Sequence, residues 1–214
     1  MQYYPCYLFD FDGTLVDSMP AYVQTMLRIL DDEGISYGDD LIKTITPMGT
    51  MSTAKYYQKL GVNKTIEEIV SLMGKHLIEQ YEKYIPAKAY VKEALLYLKE
   101  KGASLNVLTA SPHVTLDPCL KRLGLYEQFD HVWSSDDFPY TKAEPEIYKA
   151  AATIMGYPVD RILFLDDNYH ADMAAKKSGM KVCGVFDDSS AEFKEQMKEI
   201  CDYYIEDFSQ LTDF

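Results

Sequence analysis

Two aspartates stand two positions apart in Asp10-Phe11-Asp12-Gly13-Thr14-Leu15, at the end of an apolar, aromatic run over 7–11. Once the chain leaves a strand through a glycine turn, both carboxylates can face one site, although Asp-Gly is also a common solvated turn pair. A second acidic pair, Asp166-Asp167-Asn168, follows the apolar run 162–165, with Asp172 further along. Adjacent like charges at a buried strand end are costly unless a cation compensates them, which points to a divalent metal. Oxygen-only ligands favour Mg²⁺ over zinc or copper. Thr109-Ala110-Ser111-Pro112 puts hydroxyls at another strand end just before a helix. Ser111 and Pro112 fit the N-cap and first helical positions, and a helix N-terminus with its unpaired N–H groups is also what a phosphate wants. Lys142 precedes a helix expected to begin near Pro145, and by itself it also reads as an ordinary surface lysine.

The elements that must hold these residues are strands and helices in alternation. Apolar runs at 7–11, 104–108, 162–165 and 181–185 have strand lengths. Between them, 91–101 places Val91, Ala94, Leu95 and Leu98 on one face and closes on Gly102, while 112–123 and 171–178 close on Gly124 and Gly179. Such alternation implies an α/β fold, a Rossmann-like doubly wound parallel sheet with helices on both faces. Ligands bind beyond the carboxyl ends of such strands, where each of the groups above falls. The stretch 15–86 shows helical patterns at 19–33, 50–60 and 66–84 and no convincing strand. It reads as an all-helical insertion after the first strand, leaving 1–14 and 87–214 as the sheet-bearing core. Within it, 46–50 (Thr46-Pro47-Met48-Gly49-Thr50) lies between helical patterns. Gly49 would let backbone approach a ligand there, or mark a plain inter-helix turn.

The 214 residues suffice for one substantial core and a smaller second one without staples. A formal charge of −13 argues against nucleic-acid or anionic-membrane binding, which draws on clustered Lys and Arg. No apolar run approaches the roughly 18 to 20 residues of a membrane helix. The first residues lack the pattern of a secretory signal, so a cytoplasmic protein is expected. Cys6, Cys119, Cys183 and Cys201 are scattered without a C-x-x-C pair and read as small buried thiols.

In this order and at these strand ends, the sequence resembles the haloacid dehalogenase superfamily, whose members carry D-x-D-G-T, then Ser or Thr, then Lys, then a paired acidic motif. Here those stand as Asp10 to Thr14, Thr109, Lys142 and Asp166-Asp167. Leu15-Val16-Asp17-Ser18, Pro145-Glu146-Ile147-Tyr148 and the stretch from Ala174-Ala175 to Gly179-Met180 are similar to its phosphoglycolate phosphatase and β-phosphoglucomutase branch. The resemblance implies that Asp10 is the nucleophile and Asp12 the general acid and base. It further implies that Lys142 and Thr109, with Ala110 and Ser111, bind the transferring phosphoryl group, and that the insertion is a cap. Mg²⁺ would be held by Asp10, the Asp12 carbonyl and Asp167, with Asp166 as a second or water-mediated ligand. Superfamily members that cleave carbon–halogen or phosphonate bonds lack an aspartate at the position of Asp12, so its presence implies a phosphate ester. This chain departs from the pattern at Ala143, where relatives have proline. It departs again at Asp166-Asp167-Asn168, where many have Gly-Asp-Ser, and at Ala171, where an acid is expected but stands one place later as Asp172.

The expected activity is Mg²⁺-dependent hydrolysis of a small phosphorylated metabolite, by a monomer or weak homodimer. A sugar phosphomutase is the alternative within enzymes. A phospho-accepting receiver domain is the alternative outside them, opposed by the order of the motifs and by the insertion.

Overall fold

The computed structural model describes residues 2–38, 40–45 and 48–212. The chain divides into two compact units, one of 1–18 with 85–214 and one of 19–84.

The first unit is built on a six-stranded, all-parallel, Rossmann-like sheet in the order β3-β2-β1-β4-β5-β6. The strands are β1 (Cys6–Phe9), β2 (Ser104–Thr109), β3 (His131–Ser134), β4 (Ile162–Asp166), β5 (Lys181–Val185) and β6 (Tyr203–Ile205). Alternate residues of β1 face opposite sides, as the pleat requires. Cys6 and Leu8 pack into a core with Ile147 and Ala151 of α7 (Pro145–Met155) and Ala174 of α8 (Tyr169–Ser178). On the other side Tyr7 and Phe9 stack, and Phe9 also meets Phe129 and Phe208. β1 is buried throughout because both faces are covered. Its regular pairing ends at Phe9, two residues earlier than the apolar run suggests. Both edge strands, β3 and β6, went unread in the sequence, being short and only partly buried, so that neither reads as a continuous apolar run.

The crossover helices are α5 (Val91–Glu100), α6 (His113–Leu123), α7 and α8, with α9 (Lys194–Ile200) before β6. Val91, Ala94, Leu95 and Leu98 of α5 are all buried, as their spacing requires. α6 begins at His113, with Pro112 rather than Ser111 at its N-cap, because the Ser111 hydroxyl is engaged elsewhere. Cys6, Cys119 and Cys183 are buried, Cys201 is half-buried, and all four are free thiols.

The second unit consists of α1 (Met19–Asp32), the short α2 (Leu41–Ile45), α3 (Thr50–Leu60) and α4 (Ile66–Lys83), packed around Ile29, Leu30, Tyr57 and Ile69. The Tyr57 hydroxyl donates to the Met26 carbonyl at 2.9 Å, and Thr65 with Glu68 forms a capping box that starts α4. The five residues of α2 were too few to show a period. Residues 15–18 and 85–86 belong to the sheet-bearing unit, not to the helical stretch that the sequence pattern suggested. The cause is a small ribbon: Val16 bridges Asp12 and Ala87, Asp17 N–H donates to the Pro86 carbonyl, and Lys88 N–H donates to that of Leu15, each at 3.0 Å. Among the described residues, no helix is long and apolar enough to cross a membrane.

Tyr90, at the N-cap of α5, has a left-handed backbone (φ 64°) although it is not glycine, and its side chain is half exposed. That conformation costs an L-residue about 1–2 kcal/mol, part of which glycine's larger unfolded-state entropy offsets. Tyr90→Gly is therefore expected to stabilise the fold by about 0.5–1 kcal/mol, read as a rise of a few degrees in Tm. An unchanged or lower Tm would show that the Tyr90 ring contributes more than its backbone costs.

Candidate active site

Parallel register sets the site. Phe9 of β1 lies opposite Leu165 of β4 and Val107 of β2, so the residues that follow each strand emerge side by side. Asp10 N–H donates to the Leu165 carbonyl at 2.8 Å, extending the ladder by one bond before the chain turns. The turn closes through Leu15 and Val16 N–H groups on the Phe11 carbonyl. Gly13 sits in it at φ 73°, and a Cβ there would stand 2.5 Å from Asp167 Oδ2. Both the dihedral and the close approach require glycine.

Asp10, Asp12, Thr109, Ala110, Lys142, Asp166 and Asp167 come together around one cavity of about 280 Å³, where Ala143, Asn168, His170 and Ala171 complete the wall. Lys142 bridges two of the carboxylates. Its Nζ lies 2.5 Å from Asp10 Oδ1 and 2.6 Å from Asp166 Oδ2, with the Phe164 ring beneath it. The loop that carries it is fixed by the Tyr148 hydroxyl, which donates to the Lys142 carbonyl at 2.8 Å and to that of Ala171 at 3.2 Å. Asp166 is wholly buried, and its Oδ1 accepts the Asn168 N–H at 2.7 Å. Asp167 Oδ1 accepts the Thr14 hydroxyl at 2.9 Å. Asp12 Oδ2 accepts the Ser111 hydroxyl at 2.5 Å, and Thr109 Oγ1 accepts the Ser111 N–H at 3.1 Å. Ser111 thus orients a carboxylate instead of capping α6.

Four carboxyl groups line the cavity beside one lysine, and the electrostatics show the imbalance. Burial pushes the Asp10 carboxyl up to about 7, with Asp166 adding to the rise and Lys142 resisting it. Burial, then Asp166 and Asp10, hold the Asp167 carboxyl well above the usual carboxylate range. Burial would lower the Lys142 ammonium, but Asp10 and Asp166 outweigh it and raise it well above its ordinary value. One oxygen from each of Asp10, Asp166 and Asp167 lies within 4.8 Å of the others, a spacing that can hold a metal ion. An all-oxygen donor set with excess negative charge suits a hard divalent cation such as Mg²⁺.

Asp172 is not part of that group. It is buried, its Oδ2 accepts the Cys201 thiol at 3.2 Å, and its Oδ1 has no hydrogen-bond partner among the described residues. Gly49 lies in the other unit, where it precedes α3 with an ordinary φ of −70° and a Cβ would meet nothing within 4 Å. Thr46 and Pro47 of its loop fall outside the described residues. Sequence reasoning gave no role to His170 or Thr14. Nor did it note Lys88, whose contacts span 75 to 99 residues and leave no local signal.

A profile of the family described as haloacid dehalogenase-like hydrolase matches residues 7–185. Among curated relatives, pyrophosphatase PpaX of Bacillus velezensis is 30% identical over 181 residues, covering 83% of this chain and 81% of its own. Hexitol phosphatase B of Escherichia coli is 28% identical over 177 residues, 81% of this chain and 80% of its own. Among solved structures, one from Thermotoga maritima with the provisional name β-phosphoglucomutase superposes with a TM-score of 0.86 at 21% identity, covering 97% and 96% of the two chains. CbbY from Rhodobacter sphaeroides in complex with phosphate gives 0.71 at 19% identity over 98% and 96%. At these identities the structural likeness speaks for the fold.

Proposed function

Because the chain belongs to the haloacid dehalogenase-like hydrolases, we propose that it is a Mg²⁺-dependent phosphatase acting on a small phosphorylated metabolite, a phosphosugar or phospho-acid, through an aspartyl phosphate on Asp10. The observation that carries this reading is the buried Asp10–Lys142 contact at 2.5 Å in a cavity where Asp12 stands two residues on, gripped by Ser111. The Asp10 carboxylate attacks phosphorus and the bond to the leaving oxygen breaks. Asp12 gives that oxygen its proton, then takes one from the water that hydrolyses the acyl phosphate. Lys142 and Thr109 bind the transferring oxygens, with Ala110 and Ser111 shaping the same loop. Asp10, the Asp12 carbonyl, Asp167 and Asp166 would hold Mg²⁺, which when bound neutralises charge between carboxylate and phosphate. Asp167 is the preferred direct ligand; Asp166 Oδ1 accepts the Asn168 N–H, while its buried Oδ2 lies 2.6 Å from Lys142 Nζ and accepts no hydrogen bond among the described residues. The helical unit serves as a cap that selects substrate, with Gly49 as its candidate specificity position.

Hydrolysis is preferred over mutase chemistry on two grounds. The two relatives described above are named for phosphate hydrolysis, and the described cavity wall holds only Lys142 and His170 as basic side chains, a poor cradle for a second phosphate. The test is phosphate release, with Mg²⁺, from hexitol phosphates, phosphosugars, phosphoglycolate, pyrophosphate and nucleotides. Steady release from one of these classes is expected. Isomerised product without release, or no turnover of any of them, would overturn the reading.

Asp12→Ala is expected to lower the rate by roughly 10² to 10⁴, and least with esters whose leaving groups are already acidic. The check is a comparison of aryl and alkyl phosphates. An equal loss on both would remove the acid role from Asp12.

A further inference from the structure

Lys88 has no place in the chemistry above, yet its ammonium is more tightly engaged than that of most lysines. Its side chain is largely buried, as is that of its partner Asp187. The Nζ donates to three acceptors from three separate segments: the Gly13 carbonyl at 2.6 Å, the Phe186 carbonyl at 2.6 Å and Asp187 Oδ2 at 2.9 Å. Asp187 is itself fixed, its Oδ1 accepting the Ser189 N–H at 2.9 Å and the Ser189 hydroxyl at 2.6 Å. The acceptor that matters is Gly13. Its peptide leads directly to Thr14, whose hydroxyl holds Asp167, and its α-carbon packs so close to Asp167 that no Cβ fits. Moving the Gly13 carbonyl therefore moves both surfaces that locate the Asp167 carboxylate, and shifts Asp12 one residue before it.

We propose that Lys88 is a positioning residue for the metal-binding and acid–base groups, fastening the Gly13 carbonyl to the Phe186-Asp187 corner so that the turn after β1 holds Asp167 and Asp12 in place. The inference rests on the functional reading above and extends it to a residue that touches neither substrate nor metal. An ion pair kept only for stability needs one acceptor. This ammonium spends two of its donors on main-chain carbonyls, one of them in the turn that carries the nucleophile's neighbours. Outer partners that orient ligands in this way typically set metal affinity or activity by a factor of roughly 10 to 100.

The test compares wild type, Lys88→Met, Lys88→Arg and Asp187→Asn, each held well below its own Tm. Two measurements are made: Mg²⁺ affinity by titration calorimetry, which needs no substrate, and kcat and KM at saturating Mg²⁺. Lys88→Met, which keeps the length and loses the charge, is expected to weaken Mg²⁺ binding and lower kcat, each by roughly 10- to 100-fold, with a smaller change in KM. Lys88→Arg should recover part of both losses. Asp187→Asn, which leaves the ammonium its two carbonyls, should lose less than Lys88→Met. If Lys88→Met does not fold, the arginine and asparagine variants carry the same comparison. Variants with a lower Tm but wild-type Mg²⁺ affinity and kcat would make Lys88 merely structural and overturn the inference. Failure of the functional reading looks different, because then the wild type itself releases no phosphate.

Discussion

Asp10→Asn should abolish turnover while the protein stays folded. The amide has nearly the shape of the carboxylate but cannot attack phosphorus, and loss of a covalent nucleophile costs at least roughly 10³-fold in such systems. The fold should tolerate the change because Asp10 is one of several carboxyls crowded around Lys142, and burial already disfavours its charge. Lys142 keeps Asp166 as a partner at 2.6 Å. Phosphate release on the best substrate and a thermal melt by circular dichroism check both halves. Residual activity above a few per cent would remove Asp10 from the role of nucleophile.

Chelation should be as complete in effect and, unlike the substitution, reversible. EDTA is expected to stop phosphate release and Mg²⁺ to restore it, while Ca²⁺, larger and looser in coordination, restores it poorly. Full activity in EDTA, or rescue by zinc alone, would contradict the oxygen-ligand site. The pH dependence has a definite sign. With Asp10 raised to about 7 and Asp167 also held above the usual carboxylate range in the metal-free protein, Mg²⁺ must displace protons, so its affinity should rise as pH increases through about 7. Stability runs the other way. A carboxyl whose pKa is higher folded than unfolded stabilises fully below its unfolded value near ~4, and that contribution is lost as pH rises through the folded value. Asp10, Asp167 and Asp172 all shift in this direction. Asp130, Asp187 and Asp202 shift oppositely, but their effect is confined to more acidic solution. The Tm in EDTA is therefore expected to fall between about pH 5 and pH 8, and Mg²⁺ to restore it most at the alkaline end. A metal-free Tm that rises across this window would mean that the carboxyls are compensated within the protein.

The central strands announce themselves in the sequence because they are buried on both faces and read as continuous apolar runs, whereas His131–Ser134 and Tyr203–Ile205 are short edges with mixed composition. Glycine stops are equally legible, since Gly124 and Gly179 each end a helix at positive φ and Gly102 follows α5 at positive φ. Side-chain direction is not. Ser111 sits where an N-cap belongs, but a carboxylate from the turn after β1 claims its hydroxyl. Asp172, five places after Asp167, is carried by the first turn of α8 toward Cys201 and away from the metal-capable oxygens. The Lys88 clamp joins segments far apart in the chain, and no periodicity or motif encodes such a meeting.

The ribbon between Val16 and Ala87 also bears on how this protein can change over time. It brings the segment leaving the sheet-bearing unit and the segment returning to it side by side, joined by their own hydrogen bonds. To the sheet, everything between is a loop whose ends are already tied, and the entropy of closing such a loop grows only slowly with its length. Residues 19–84 can then lengthen, shrink or be replaced wholesale while the turn after β1 that carries Asp12 keeps its anchors. If residues 19–84 select the substrate, chemistry and selectivity are then separately heritable, and one cassette can be exchanged without rebuilding the sheet-borne carboxylates.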